Sequence, residues 1–221
     1  NVHFDNNADL PEERKMLGII VSGGDESFFT LKGWVEELME SLDAGKLRFE
    51  TERENPSYHP GRCAKLWAGE REIGVLGQIH PEVAKNYGVD TELYCAELRF
   101  DALYAVRGGL PVYRPLPRFP AVTRDIAVVC GRDIPAGRLS DCIMENGGQI
   151  EDMIAQRGGK ILESCELFDI YTGSHIAEGK KSVAFSLTMR AEDQTLTDEH
   201  AEETIAAVLK ALERDFGAVM R

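Results

Sequence analysis

Arg118-Phe119-Pro120-Ala121-Val122-Thr123-Arg124-Asp125-Ile126-Ala127-Val128-Val129 divides the chain in two. Before it runs Pro111-Val112-Tyr113-Arg114-Pro115-Leu116-Pro117, whose prolines fix φ and exclude both a helix interior and a central strand. After it, Ile126 and Val128 alternate with their neighbours as in a half-buried strand. A proline-rich linker leading straight into a strand marks the start of a second domain. Arg118, Arg124 and Asp125 flank that strand start, where charges either solvate the strand end or meet a partner.

Downstream of the hinge, Ala136 to Glu145 carries Leu139, Ile143 and Met144 at helical spacing, and Gly147-Gly148 ends it. Ile150 to Arg157 reads as a further helical turn, closed by Gly158-Gly159. Lys160 to Tyr171 and Lys180 to Arg190 read as antiparallel neighbours joined by the polar loop from Thr172 to Gly179. Thr197 suits an N-cap, with Asp198 and Glu199 at the positive end of the helix dipole. Ala201, Ile205, Val208, Leu209, Leu212 and Phe216 form the inner stripe of that helix, Gly217 stops it, and Ala218-Val219-Met220 is left for a short strand. Strand, helix, strand, strand, helix, strand is the split βαβ order of a ferredoxin-like fold.

Upstream, Met16 to Val21 is a short apolar strand. Ser27 caps a helix in which Phe28, Leu31, Val35, Leu38, Met39 and Leu42 recur at three and four residues. Leu47 to Glu54 alternates as a strand. Pro56 to Arg62 reads as a turn, and Cys63 to Ala68 with Arg71 to Ile79 as a hairpin around Gly69-Glu70. Pro81 starts a short helix over Glu82 to Tyr87, and Leu93 to Phe100 is one more strand. Hairpins outnumber crossovers, so the sheet is mainly antiparallel and the fold class α+β.

Composition narrows the functions. Among 221 residues, 43% are hydrophobic and 29% charged, as in ordinary globular proteins. No apolar run has the length of a membrane span, and no signal-peptide pattern opens the chain. Five scattered cysteines argue against a disulfide framework and fit a cytoplasmic setting. The five histidines lack metal-ligand spacing, so no metal site is expected. The formal net charge is −13, with acidic residues in excess on both sides of Pro111. Any contact with a polyanion must then be local and specific.

Two places hold residues that chemistry could use. Asp169 and Tyr171, two apart, emerge on one face of their strand, and a closed hairpin brings Ser182 beside them. An exposed ring on a sheet is a stacking platform for an unpaired base, and a carboxylate and hydroxyl next to it can bond base edges. Read blandly, these are a surface tyrosine and two polar neighbours. Lys180, Lys181 and Arg190, with Arg118 and Arg124, are the cations that could meet phosphates there. The second place is His59-Pro60-Gly61-Arg62 with His80-Pro81. Both histidines adjoin prolines, where a ring nitrogen commonly satisfies a backbone group, and no nucleophile, Walker loop or dinucleotide fingerprint accompanies them.

The hinge also carries a resemblance. Arg-Phe-Pro-Ala-Val-Thr-Arg-Asp at 118–125, Leu-Phe-Asp-Ile-Tyr-Thr-Gly at 167–173, Gly-Lys-Lys-Ser-Val-Ala at 179–184, Thr-Leu-Thr-Asp-Glu at 195–199 and Phe-Gly-Ala-Val-Met-Arg at 216–221 resemble the ferredoxin-like anticodon-binding domain of bacterial phenylalanyl-tRNA synthetase beta subunits. Leu31-Lys32-Gly33, His59 to Ala64 and Ile73 to Pro81 look like the preceding synthetase-like module of the same family. The resemblance implies a non-catalytic, class II synthetase-like module over 1–108 and an anticodon-binding domain over 112–221. Together they would form a C-terminal fragment of the beta chain. It implies partnership with an alpha subunit, in a heterotetramer of two alpha and two beta chains, and with tRNA(Phe). It implies that Asp169, Tyr171 and Ser182 read a guanine at the first anticodon position, with Lys181, Arg118 and Arg124 nearby. No cofactor is expected on this chain, whereas the whole enzyme would use ATP and Mg²⁺. A free-standing RNA-binding module and a metabolite-binding regulatory domain are the rival readings, the latter needing a glycine-lined ligand turn that is not seen.

Overall fold

The computed structural model describes residues 2–3, 12–109, 113, 115–147, 161–191 and 193–221. Two compact units divide the chain, Asn1–Tyr113 and Arg114–Arg221. The helical turn expected over Ile150 to Arg157, and Pro111, Val112 and Arg114 of the linker, lie outside the described residues.

In the first unit, β1 (Val2–His3) pairs antiparallel with β2 (Glu12–Glu13). Five further strands form one antiparallel sheet: β3 (Met16–Ser22), β4 (Leu47–Thr51), β5 (Tyr58–Ala68), β6 (Arg71–Ile79) and β7 (Leu93–Arg99), in the order β3-β7-β6-β5-β4. Helix α1 (Phe28–Ser41) begins where the sequence places its cap. The Ser27 hydroxyl accepts the Phe29 and Thr30 backbone N–H groups, and the Thr30 hydroxyl accepts that of Ser27. This reciprocal arrangement satisfies donors that a helix start otherwise leaves open. Leu31, Val35 and Met39 of its inner stripe are buried with Leu66, Ile73, Leu76 and Leu98 of the sheet. Each such side chain contributes roughly 1.5–3 kcal/mol by leaving water. Helix α2 (Pro81–Asn86) is short, with proline in its first turn.

Two expectations need correction here. Residues assigned to the 56–62 turn belong largely to β5, which starts at Tyr58 and pairs irregularly with β6 between Tyr58 and Cys63. Proline and glycine at 60 and 61 mimic a turn, yet they sit in that irregular stretch, where a strand tolerates them. Helix α3 (Phe100–Val106) directly follows β7 and was not foreseen. It has no side-chain cap, and its start is tied instead by the Phe100 N–H to the Lys15 carbonyl, 3.1 Å.

The second unit runs β8 (Val122–Gly131), α4 (Ala136–Asn146), β9 (Leu162–Tyr171), β10 (Lys180–Met189), α5 (Asp198–Phe216) and β11 (Val219–Met220). The sheet order is β11-β8-β10-β9, all antiparallel, as the ferredoxin-like arrangement requires. Thr197 caps α5 by accepting the His200 N–H, and the His200 ring accepts that of Thr197. The helix ends at Gly217, whose φ of 58° lies in the left-handed region that glycine enters without strain. Val183, Phe185, Leu187 and Met189 of β10 point into the core with Ile126 and Val128 of β8. Leu139 and Ile143 of α4 and Val208 and Leu212 of α5 meet them there. Both helices therefore cover one side of the sheet, which leaves the other face to the alternate residues of each strand.

Candidate nucleic-acid interface

The face of the second unit's sheet opposite α4 and α5 is built in cross-strand rows. Tyr171 of β9 is the direct partner of Ser182 of β10, which is the partner of Val129 of β8, which pairs with Val219 of β11. Residues directly opposite one another share a face, so these four form one row. The next row holds Asp169, Ala184 and Ala127. The Arg221 N–H donates to the Ala127 carbonyl at 2.9 Å and extends that row to the far edge. Glu166, Ser186 and Asp125 make a third.

Asp169 is exposed and Tyr171 half-buried, while Ser182 between the strands is only 3% exposed. The spacing argument from the sequence thus places all three on one face. The hydroxyl, however, lies in the floor of the face, where it supports the ring more than it meets solvent. The Tyr171 hydroxyl sits where a Cβ on Gly173 would be, so the absent side chain of the loop makes room for the ring. The Arg221 guanidinium lies 5.5 Å from the centre of the same ring. At that range a cation over a ring that solvent still reaches is worth about 0.5–1 kcal/mol.

The other cations separate by strand parity. Lys180 is exposed opposite Gly131, in step with Ser182 and so on the open face. Lys181 is partnered by the buried Cys130 and alternates with Val183, which puts it on the helix side. Arg124 is opposite Leu187, also on the helix side, and its Nη2 donates to Asp198 Oδ1 at 2.6 Å. Arg190 is committed to structure: Nε donates to Glu163 Oε2 and Nη1 to the Phe119 carbonyl, both at 2.8 Å. Arg118 is exposed in the bend ahead of β8. The face thus gathers Asp169, Tyr171, Ser182, Lys180 and Arg221, and does not gather Lys181 or Arg124. Arg221 escaped the sequence reading because its place depends on the β11–β8 register. A signal was present in Ser182, Ala184 and Ser186, alternating small residues that mark a shallow floor.

Among the described residues, the first unit offers no comparable site. His59 Nδ1 accepts the Gly61 N–H at 3.0 Å, and His80 Nδ1 accepts the Glu82 N–H at 3.3 Å, both local caps. Arg62 Nη1 is held by Gln78 and Glu92, and Glu92 also accepts from the Tyr94 hydroxyl. Those bonds keep the Glu92 carboxyl below the usual carboxylate range, the Tyr94 bond first among them. Tyr58 is buried, and that burial foremost drives its phenol far above the ordinary value. Among the described residues, no group of three or more His, Cys, Asp or Glu side chains is placed to hold a metal ion. Among the same residues, no helix is long and apolar enough to cross a membrane.

Comparison with known proteins bears on both units. Residues 1–100 match the family described as the phenylalanyl tRNA synthetase beta chain CLM domain, and residues 117–221 the ferredoxin-fold anticodon binding domain. The phenylalanine–tRNA ligase beta subunit of Clostridium tetani is 40% identical over 212 residues, covering 96% of this chain and 25% of that protein. That of Clostridium acetobutylicum is 40% identical over 217 residues, 98% of this chain and 26% of the relative. That of Symbiobacterium thermophilum is 41% identical over 223 residues, 96% and 24%. The chain spans about a quarter of the length of these relatives.

Proposed function

Because the chain belongs to the phenylalanine–tRNA ligase beta-subunit family, we propose that it binds the anticodon region of tRNA(Phe) on the sheet face of its second unit opposite α4 and α5. In this reading the domain over 112–221 carries the RNA contact. The domain over 1–108 is a non-catalytic, class II synthetase-like sheet that supports an alpha subunit, in a cytoplasmic assembly of two alpha and two beta chains. The assembly joins phenylalanine to tRNA with ATP and Mg²⁺, which act on the alpha chain. Supporting this reading of the first unit, its Arg62, Gln78, Glu92 and Tyr94 side chains bond one another, and its Tyr58 is buried.

The observation that carries the proposal is the row of Tyr171 and Ser182 with Asp169 one row away, on the side of the sheet away from α4 and α5. Tyr171 stacks on an unpaired base, and Asp169 accepts hydrogen bonds from its edge. Ser182, beneath, holds the ring's approach. Lys180 supplies position through phosphate. Lys181 and Arg124 lie outside this contact, since parity and pairing direct them to the helix side, while Arg118, exposed ahead of β8, is left as a further candidate for phosphate.

Binding of the chain to a synthetic anticodon-arm hairpin tests this. Tyr171→Ala should weaken binding by about 1–3 kcal/mol whatever the first anticodon base, as loss of stacking does. Asp169→Ala should cost a comparable amount with guanosine there and much less with adenosine, because only guanine offers two adjacent donors. Equal losses on both hairpins from Asp169→Ala would remove the carboxylate from base reading.

A further inference from the structure

The five-stranded sheet of the first unit has two edges, and they are built differently. At one edge β4 carries Arg48 and Glu50, whose side chains pair at 3.5 Å. At the other, β3 reads Met16-Leu17-Gly18-Ile19-Ile20-Val21-Ser22, with no charge and no proline. The edges of the second unit's sheet are guarded too. Strand β9 carries Glu163, Glu166 and Asp169 and breaks register between Leu167 and Asp169, and β11 is very short. Charges, bulges and shortness are what keep an edge strand from taking on another strand. Among the described residues, β3 has β7 on one side and no strand on the other.

The hydrogen-bond phase of β3 determines what its free side offers. The Phe100 N–H donates to the Lys15 carbonyl at 3.1 Å, one step beyond the Met16–Arg99 pair. Bonded and non-bonded pairs alternate along an antiparallel ladder. Leu17, Ile19 and Val21 therefore direct their backbone groups to β7, and Met16, Gly18, Ile20 and Ser22 direct theirs outward. Side chains alternate with the same period. Leu17, Ile19 and Val21 pack with the core beneath α1, whereas Ile20 on the opposite face is 65% exposed. A Cβ on Gly18 would meet nothing within 4 Å. Helix α1 adds to the same edge. Lys32 Nζ lies 4.6 Å from the ring centre of Phe49 on β4. Trp34, about 200° further round the helix, is on the β3 flank and is exposed.

Strand β3 complements itself. A second β3 crossing it antiparallel, on a two-fold axis at Ile19, sets Gly18 opposite Ile20 of the second copy and Met16 opposite its Ser22. All four residues have outward backbone groups, so each of these pairs closes its hydrogen bonds. The large Ile20 falls against the small Gly18, twice, and no like charges meet. The axis keeps both helix layers on one side of the joined sheet, with Trp34 of each copy beside the seam. We propose that β3 is an interface for a second copy of this chain, joining the two five-stranded sheets into one continuous sheet. The seam is small beside the roughly 1,200–2,000 Å² of a stable interface, so the pair forms and parts with concentration.

Sedimentation of the full chain over about a hundredfold range of concentration tests this, and the mass should climb from that of one chain to that of two. Ile20→Lys alters an exposed position and places a charge on the seam twice over. It should raise the dissociation constant by about tenfold or more and leave the melting temperature of the dilute chain unchanged. Ile19→Cys should form a covalent dimer under mild oxidation, beyond any seen for the unaltered chain. A residue on the axis faces its own counterpart in a non-bonded pair, about 4.5 Å apart. Ser22→Cys lies roughly 20 Å from its counterpart and should not crosslink. Should Ile19→Cys fail to fold, the Ile20→Lys comparison decides alone. A chain that stays monomeric at every concentration overturns the proposal and leaves the edge to a strand of another polypeptide. So does a dimer that Ile20→Lys leaves intact, or one in which Ser22→Cys crosslinks as readily as Ile19→Cys. The seam would then lie elsewhere or have no fixed register.

Discussion

The ring of Tyr171 rests over Gly173, its hydroxyl in the space where any other residue would carry a Cβ. Gly173 is not in the left-handed region, so alanine there meets no backbone strain. The obstacle is the far end of a flexible side chain. Gly173→Ala should therefore cost less than about 1 kcal/mol of folding stability, as the ring swings away. It should nevertheless weaken hairpin binding nearly as much as Tyr171→Ala, and the double variant should bind no worse than Tyr171→Ala alone. Thermal unfolding and hairpin titration of the three variants check this. Additive losses would mean that Gly173 acts through the loop and not through the ring.

Glu52 in the first unit answers a different question, that of pH. Its carboxylate accepts the Glu54 N–H at 2.6 Å and pairs with Lys65 Nζ at 2.9 Å. The Lys65 bond first, and the Glu54 bond next, hold its carboxyl below the usual carboxylate range. A carboxyl with a depressed folded-state pKa binds fewer protons folded than unfolded through that interval, so its contribution is present at neutral pH. It is lost as pH falls from the ordinary carboxylate value through the lowered one. Glu52→Gln should lower the melting temperature at neutral pH, and the two proteins should converge in acid. A constant difference across the whole range would assign the effect to packing and not to charge.

Much of this architecture was legible because its signals are local. The inner stripe of α5, its Thr197 cap and its Gly217 stop are each set within a turn or two of helix. The alternation of β10 separates Val183, Phe185 and Leu187 from Ser182, Ala184 and Ser186 without any tertiary knowledge. The pairing of Asp169 with Tyr171 on one face follows from a period of two. Features that depend on register were not legible. Lys180 and Lys181 are adjacent in sequence, and only the strand phase tells that the second turns toward Cys130. Arg221 required knowing that β11 runs beside β8, which is a long-range fact. Helix α3 was hidden because it starts from a strand end with no capping side chain. In the 58–62 stretch, Pro60 and Gly61 gave a turn signal inside a strand whose pairing is broken there.

The third row of the open face sets the charge balance. Asp125 and Glu166 are both exposed and flank Ser186, one row beyond Asp169 and Ala184. The cations Lys180 and Arg221 stand nearer Tyr171. A nucleotide on this face then has a preferred direction: its phosphates are attracted toward the Lys180 end and repelled from the Asp125 end. The acidic pair should limit affinity without reading the base, because it lies one row beyond Asp169 and two beyond Tyr171. Exchanging both for amides, Asp125→Asn with Glu166→Gln, removes two negative charges and hardly alters shape. The repulsion of one exposed charge pair is of order 1 kcal/mol at close range in water, so hairpin affinity should rise by up to about tenfold at low ionic strength. Near 0.1 M salt the screening length is about 10 Å, and the gain should shrink accordingly. The ratio of affinities for the guanosine and adenosine hairpins should stay where it is in the unaltered chain. Hairpin titrations over a salt series separate the two quantities. If the double exchange changes that ratio, the third row takes part in reading the base.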